Sequence, residues 1–254
     1  EHMLSFQRFC VNHLMTPVVA FQQNVPENYQ IPYHHQLYLK RVIQPFSPYR
    51  GLLLLHDLGT GKTRTAIEML LNFTHTTDAK KAFVLCPASL QKNFWENTQD
   101  AHNVPDRAQR EWLGNINYIS YNGLSSEIAN AVFRGATEHT NNPFNNSVVV
   151  IDEVHNFTRA AYNFAIANTS NKIEKFISAM SSHVEQEGLK KKKTRGINIF
   201  WIYRLLLAAQ NVRIVALSGT PIINSAGEVV YLFNLLKGYL PDNIRQSREW
   251  PVPP

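Results

Sequence analysis

The sequence predicts an α/β protein in which a mostly parallel central sheet carries helices on both faces. Short apolar runs recur near residues 52–55, 82–86, 116–120, 147–151 and 213–217, with helix-period stretches between them. That alternation is the pattern of parallel strands joined by right-handed crossovers. Two of the runs, Leu52 to Leu55 and Val148 to Ile151, are apolar at every position, as strands covered on both faces must be.

The first strand runs into His56-Asp57-Leu58-Gly59-Thr60-Gly61-Lys62-Thr63, after which Ala66, Ile67, Leu70 and Leu71 recur at helical spacing. Ala82 to Leu85 is followed by Cys86-Pro87-Ala88-Ser89, where Ser89 reads as an N-cap for a helix carrying Leu90, Phe94 and Trp95. A short strand, Asn117 to Ile119, leads to Ser120-Tyr121-Asn122, and Val148 to Ile151 leads to Asp152-Glu153-Val154-His155. Residues 158–188 exceed a simple crossover and suggest a helix with a loop. Residues 196–210 are apolar nearly all round, which predicts a buried helix. The last strand, Arg213 to Leu217, ends in Ser218-Gly219-Thr220-Pro221. Ser225 and Glu228 then form a capping-box pattern ahead of an apolar run that Gly238 stops, so Glu228 reads as a cap rather than a catalytic group.

The residue types specify chemistry. Gly59 and Gly61 let the backbone turn tightly, so that the loop, Thr60 included, aims N–H groups at phosphate oxygens, at the positive end of the helix that begins near Lys62. Lys62 supplies a point charge for the β- and γ-phosphates, and the Thr63 hydroxyl is a magnesium ligand. His56 stands where the usual pattern has Gly. Asp152 and Glu153 sit at a strand's carboxyl end, where ligands of parallel sheets bind: Asp152 to hold magnesium, Glu153 to orient or deprotonate water. His155 lies too far along to reach the metal and is expected to link the nucleotide to a later loop. Ser218 and Thr220 are expected to bond to that acidic segment and report the γ-phosphate.

Composition sets the frame. The 254 residues, 44% hydrophobic and 11% aromatic, suffice for one large core or a core with an appendage. No apolar run approaches the roughly 18 residues of a membrane span, so a soluble protein without a membrane partner is expected. Cys10 and Cys86 have neither pairing nor metal spacing, which suits a reducing compartment. A net charge of +6 favours an anionic partner. The run Lys190-Lys191-Lys192-Lys193-Thr194-Arg195 is either a solvated loop or a phosphate attractor acting over a Debye length of roughly 8 Å.

The three strand-end motifs resemble superfamily-2 helicases and translocases, and most of all the nucleoside triphosphatase I and early-transcription-factor small-subunit helicases of large cytoplasmic DNA viruses of pox and asfar type. His56 fits that subgroup. The resemblance runs from about Pro32 to Leu240 and implies a RecA-like P-loop domain using ATP and Mg2+. By position it implies that Gln36 reads the adenine edge, although His35 replaces the usual aromatic neighbour and an ordinary helix-start role is the alternative. It likewise implies nucleic-acid contacts at Pro87, Ser89, Ser120 and Tyr121. Implied partners are nucleic acid, DNA ahead of RNA, a second RecA-like domain of the same parent chain, and a viral RNA polymerase. The implied location is the host cytoplasm, its viral factories or the virion.

The arginine-bearing Gln-x-x-Gly-Arg-x-x-Arg segment of that second domain does not occur in the sequence. The expected layout is a cloning remnant (1–3), an N-terminal appendage (4–31), the ATP-binding domain (32–240) and a tail towards the second domain (241–254). The expected function is the motor domain of a nucleic-acid-dependent ATPase, weakly active alone. A non-enzymatic nucleotide-sensing module that recruits a polymerase is the alternative. A small-molecule kinase is disfavoured, since no segment resembles a lid or acceptor site.

Overall fold

Val148, Val149, Val150 and Ile151 are all fully buried, because their strand is an interior member of a five-stranded sheet. The computed structural model describes residues 33–45, 47–56, 59–74, 81–100, 107–121, 142–167, 195–220 and 226–238. The strands are β1 (Gly51–Leu55), β2 (Lys81–Cys86), β3 (Asn117–Ser120), β4 (Ser147–Ile151) and β5 (Val212–Ser218). They lie in the order β1-β5-β4-β2-β3, and every neighbouring pair is parallel. The expected runs are thus recovered to within a residue at each end.

β5 enters between β1 and β4, with Leu55 opposite Ser218 and Ile151 opposite Ala216. Because all strands point the same way, the segments after each of them emerge at one edge of the sheet. That edge is where ligands of parallel sheets bind.

The helices are α1 (His34–Val42), α2 (Lys62–Leu71), α3 (Ala88–Asp100), α4 (Arg107–Gly114), α5 (Val154–Ala167), α6 (Arg195–Ala208) and α7 (Ala226–Lys237). Successive strand residues face opposite ways, and the core divides accordingly. Val149, Ile151, Ile214 and Ala216 pack with α5, α6 and α7. Val148, Val150, Val215 and Leu217 pack with Ala66, Ile67 and Leu70 of α2, Phe94 of α3 and Leu113 of α4. The α/β class with helices on both faces is therefore observed.

α6 buries Ile199, Phe200, Ile202, Tyr203, Leu205, Leu206 and Leu207, as its apolar composition requires. It stops at Ala208, two residues short of the sequence pattern. The Arg50 guanidinium explains the stop: it donates to the carbonyls of Leu206 and Ala209, satisfying groups the helix end leaves open. α7 ends as predicted, with Gly238 at φ 83 and its N–H on the Asn234 carbonyl at 2.8 Å. No helix among the described residues is long and apolar enough to cross a membrane.

Candidate nucleotide site

The loop after β1 is drawn over the sheet edge by its own backbone. His56 N–H donates to the Ser218 carbonyl at 3.2 Å, extending the β1–β5 ladder. Gly59 and Gly61 then take φ values of 81° and 80°, a left-handed conformation that glycine alone adopts cheaply. Gly61 is the N-cap of α2. Lys62, in the first turn, reaches back so that its ammonium donates to the His56 carbonyl at 3.0 Å and stands 4.0 Å from Glu153 Oε1. Thr63 follows it, half-buried.

Gln36 is buried against this loop. Its Oε1 accepts the Tyr33 N–H at 2.9 Å, closing a capping box on α1, and its Nε2 donates to the Gly61 carbonyl at 3.4 Å. The helix-start geometry thus holds, and the same side chain touches the loop. Two links escaped the sequence reading. Buried Glu68 joins the helices through Lys40 and Arg64, each at 3.0 Å, and the His35 ring meets the His56 ring edge-on at 6.0 Å. The Arg64–Glu68 spacing of four was visible in sequence; the partner on α1 was not.

The acidic pair follows β4. Asp152 N–H donates to the Leu85 carbonyl at 2.8 Å, and Asp152 Oδ1 accepts the Glu153 N–H at 3.0 Å. Glu153 itself has φ 50°, and its Oε2 lies 3.3 Å from His155 Nδ1. Burial, and secondly the Glu153 charge, push the Asp152 carboxyl up to about 6, against the pull of Lys62. Among the described residues no cluster of three or more His, Cys, Asp or Glu could hold a metal ion. Thr63 and Asp152 instead offer two hard oxygen donors, a set suited to magnesium when phosphate and water oxygens complete the shell.

The end of β5 joins these parts. His155 Nδ1 lies 2.9 Å from Ser218 Oγ, which also accepts the Thr220 N–H at 3.0 Å. Both His155 and Ser218 are buried, and Thr220 is exposed. Burial, the largest influence, lowers the His155 pKa against the opposing pull of Glu153 and Glu228. Gly219 lies close enough that an added Cβ would stand 3.4 Å from Lys62 Nζ.

The remaining expectations fare unevenly. Pro87 and Ser120 sit half-buried at the ends of β2 and β3, and Ser89 is exposed. Ser89 does not cap α3, which begins at Ala88 with Pro87 at the preceding position; it lies in the first turn. The placing of Tyr121 on a nucleic-acid surface is corrected, because its ring is 3% exposed and its hydroxyl donates to the Asp152 carbonyl at 2.7 Å. Glu228 occupies the first turn of α7, buried, with Oε2 lacking a hydrogen bond among the described residues. Its partner in the expected capping box, Ser225, lies outside the described residues, as do Asn122, Pro221, the remainder of the 158–188 stretch beyond Ala167, the lysine run, and the segments 4–31 and 241–254.

The chain is similar to several known proteins. The family model described as the SNF2-related domain matches residues 6–251. A protein of Acanthamoeba polyphaga mimivirus, provisionally described as an ATP-dependent RNA helicase, is 28% identical over 212 residues, covering 80% of this chain and 23% of that protein. Nucleoside triphosphatase I of Choristoneura fumiferana entomopoxvirus is 27% identical over 219 residues, covering 85% of this chain and 28% of it. The termination factor NPH-I homolog of African swine fever virus is 24% identical over 200 residues, covering 74% and 22%. This chain thus spans about a quarter of the length of these relatives. The SWI2/SNF2 ATPase core of Sulfolobus solfataricus, solved with dsDNA, aligns at TM-score 0.45 and 16% identity, covering 84% of this chain and 38% of that one. With the family model matching nearly its whole length, the chain belongs to the SNF2-related domain family.

Proposed function

We propose that this chain is the ATP-binding domain of a nucleic-acid-dependent ATPase motor, a helicase or translocase. The reading is supported above all by Ser218, whose carbonyl holds the phosphate-type loop through His56 while its hydroxyl meets His155 of the acidic segment. One residue therefore touches both the phosphate loop and the acidic segment.

In this reading Lys62 leaves the His56 carbonyl for the β- and γ-phosphates, and the backbone N–H groups of Gly59, Thr60 and Gly61 cradle them. Gln36 recognises the adenine edge with the amide hydrogen that Gly61 leaves free. Thr63 and Asp152 would hold magnesium, which when bound neutralises charge on the phosphates. Glu153 orients the attacking water and takes its proton. His155 passes a shift of Glu153 to Ser218 and on to the Thr220 backbone. Pro87, Ser89 and Ser120, at neighbouring strand ends, face the nucleic-acid backbone.

The domain spans residues 32–240 in this reading, and a second RecA-like domain in the parent chain completes the motor. A relative named a termination factor supports a transcribing polymerase as a further partner. The viral resemblance supports a place in the host cytoplasm, viral factories or virion.

The test is ATP turnover by the purified chain with and without single- and double-stranded DNA and RNA. Magnesium-ATP should bind, and slow turnover should rise with nucleic acid, DNA ahead of RNA. Tight nucleotide binding with no response to any nucleic acid would mark a nucleotide-sensing module instead.

A further inference from the structure

We propose that Tyr121 is a positioning residue for Glu153, its hydroxyl holding the Asp152 carbonyl and with it the peptide plane that sets the Glu153 backbone. The inference rests on the reading of Glu153 as the group that orients water.

Three non-glycine residues among those described have positive φ: Asn146, Glu153 and Asn211. Asparagine tolerates the left-handed region because its short side chain bonds locally. Glutamate has no such ease, so an unusual backbone persists at Glu153 only where its surroundings over-determine it. The surroundings are identifiable. The Asp152 carbonyl and the Glu153 N–H belong to one peptide plane, whose orientation fixes φ of Glu153. At one end Tyr121 Oη donates to the carbonyl at 2.7 Å, and at the other Asp152 Oδ1 accepts the N–H at 3.0 Å. The plane is clamped from both sides.

Tyr121 is itself immobilised. Its N–H donates to the Cys86 carbonyl at 3.1 Å, and its ring packs 5.9 Å from that of Phe157 on α5. It is buried at 3% exposure, so solvent is poorly placed to replace its hydroxyl. If the clamp opens, the plane can rotate and Glu153 relax, carrying its carboxylate away from the position 3.3 Å from His155 and 4.0 Å from Lys62. The hydrogen bonds that fix the phosphate loop run from the His56 N–H to the Ser218 carbonyl and from the Lys62 ammonium to the His56 carbonyl, and neither involves Tyr121 or the clamped plane.

The test is single-turnover ATP hydrolysis, with the chain in excess over nucleotide, read beside nucleotide Kd. Tyr121→Phe should slow hydrolysis by about 10- to 100-fold, the scale of a misplaced catalytic group, while Kd stays unchanged. Replacement by 4-aminophenylalanine, which retains a donor, should restore the rate. In a Glu153→Gln background, itself slow, Tyr121→Phe should cost nothing further. Should the Phe variant fail to fold, 4-methylphenylalanine fills the same space without a donor. Glu153→Gln slow with Tyr121→Phe normal overturns this inference alone. Equal slowing in both backgrounds, or rate and affinity lost together, also overturns it. Glu153→Gln at the wild-type rate overturns the Glu153 reading and this inference with it.

Discussion

His155 Nδ1 and Ser218 Oγ lie 2.9 Å apart, joining the start of the helix after β4 to the last residue of β5. The contact is buried and lies between the two halves of the nucleotide site, so its removal should separate binding from turnover. Ser218→Ala is expected to leave ATP affinity within about two-fold and to slow hydrolysis by about ten-fold, the loss of one hydrogen bond of order 1 kcal/mol. Calorimetry and a phosphate-release assay on one preparation check both. A loss of affinity equal to the loss of rate would show that Ser218 shapes the loop rather than couples it.

Lys62→Ala should abolish magnesium-ATP binding without harming the fold. The amine's partners are one carbonyl and a carboxylate at 4.0 Å, and no core group depends on it. Unchanged affinity by calorimetry would remove Lys62 from the site.

Gly61→Ala tests the loop from the backbone side. The residue sits at φ 80°, and a Cβ there would approach Gln36 Nε2 to 2.8 Å. The left-handed strain alone is worth about 1–2 kcal/mol, so thermal unfolding should move down by a few degrees and Gln36 should be displaced. An unshifted midpoint would mean the loop has another conformation of equal energy.

Without nucleotide or magnesium, the domain should lose stability through Asp152 as pH rises. With its folded-state pKa raised from 3.8 to about 6, the neutral carboxyl favours the fold below 3.8, and that contribution disappears as pH climbs through about 6. It amounts to about 3 kcal/mol at most. His155 and His56, both lowered by burial, act oppositely: their contribution is present above the ordinary histidine value of 6.5 and lost as pH falls below it. Urea unfolding of Asp152→Asn beside wild type isolates the first effect. The variant's advantage should grow between pH 4 and pH 7; a constant gap would contradict the burial of that charge.

Glu68→Gln should loosen α1 from α2. It replaces a buried carboxylate held at 3.0 Å by both Lys40 and Arg64. Breaking such a network costs about 3 kcal/mol or more, so denaturant midpoints should fall clearly. Nucleotide affinity should weaken too, through Gln36. Stability equal to wild type would show that Lys40 and Arg64 are satisfied by other partners.

What could be read from sequence was what neighbouring residues encode together. Leu52 to Leu55 followed by Gly59, Gly61, Lys62 and Thr63 is contiguous, and so is Val148 to Ile151 ahead of Asp152 and Glu153; strand, loop and charge are decided locally. The coming together of His155 and Ser218, 63 residues apart, could be guessed only because one closely follows and the other ends a strand of the same sheet. Tyr121 could not be placed from its neighbours. It directly follows β3, and whether a residue there points outward or beneath Asp152 depends on the packing of Phe157. The handedness of Glu153 was equally hidden, since glutamate gives no sign of a positive φ. Ser89 failed for a smaller reason: Cys86-Pro87 lets the helix begin earlier than a serine cap would require.

The position of β5 also bears on how the molecule is made. β1 carries the loop that grips phosphate, yet among the described residues its only ladder is with β5, which comes from the far end of the described chain. During synthesis β1 and its loop emerge early and wait for residues 212–218 before they acquire a partner. Such long-range closure is slow and leaves strand edges open in the meantime. A ribosome-bound chain halted short of Val212 should therefore hold all of Gly59 to Thr63 and still be unable to retain ATP.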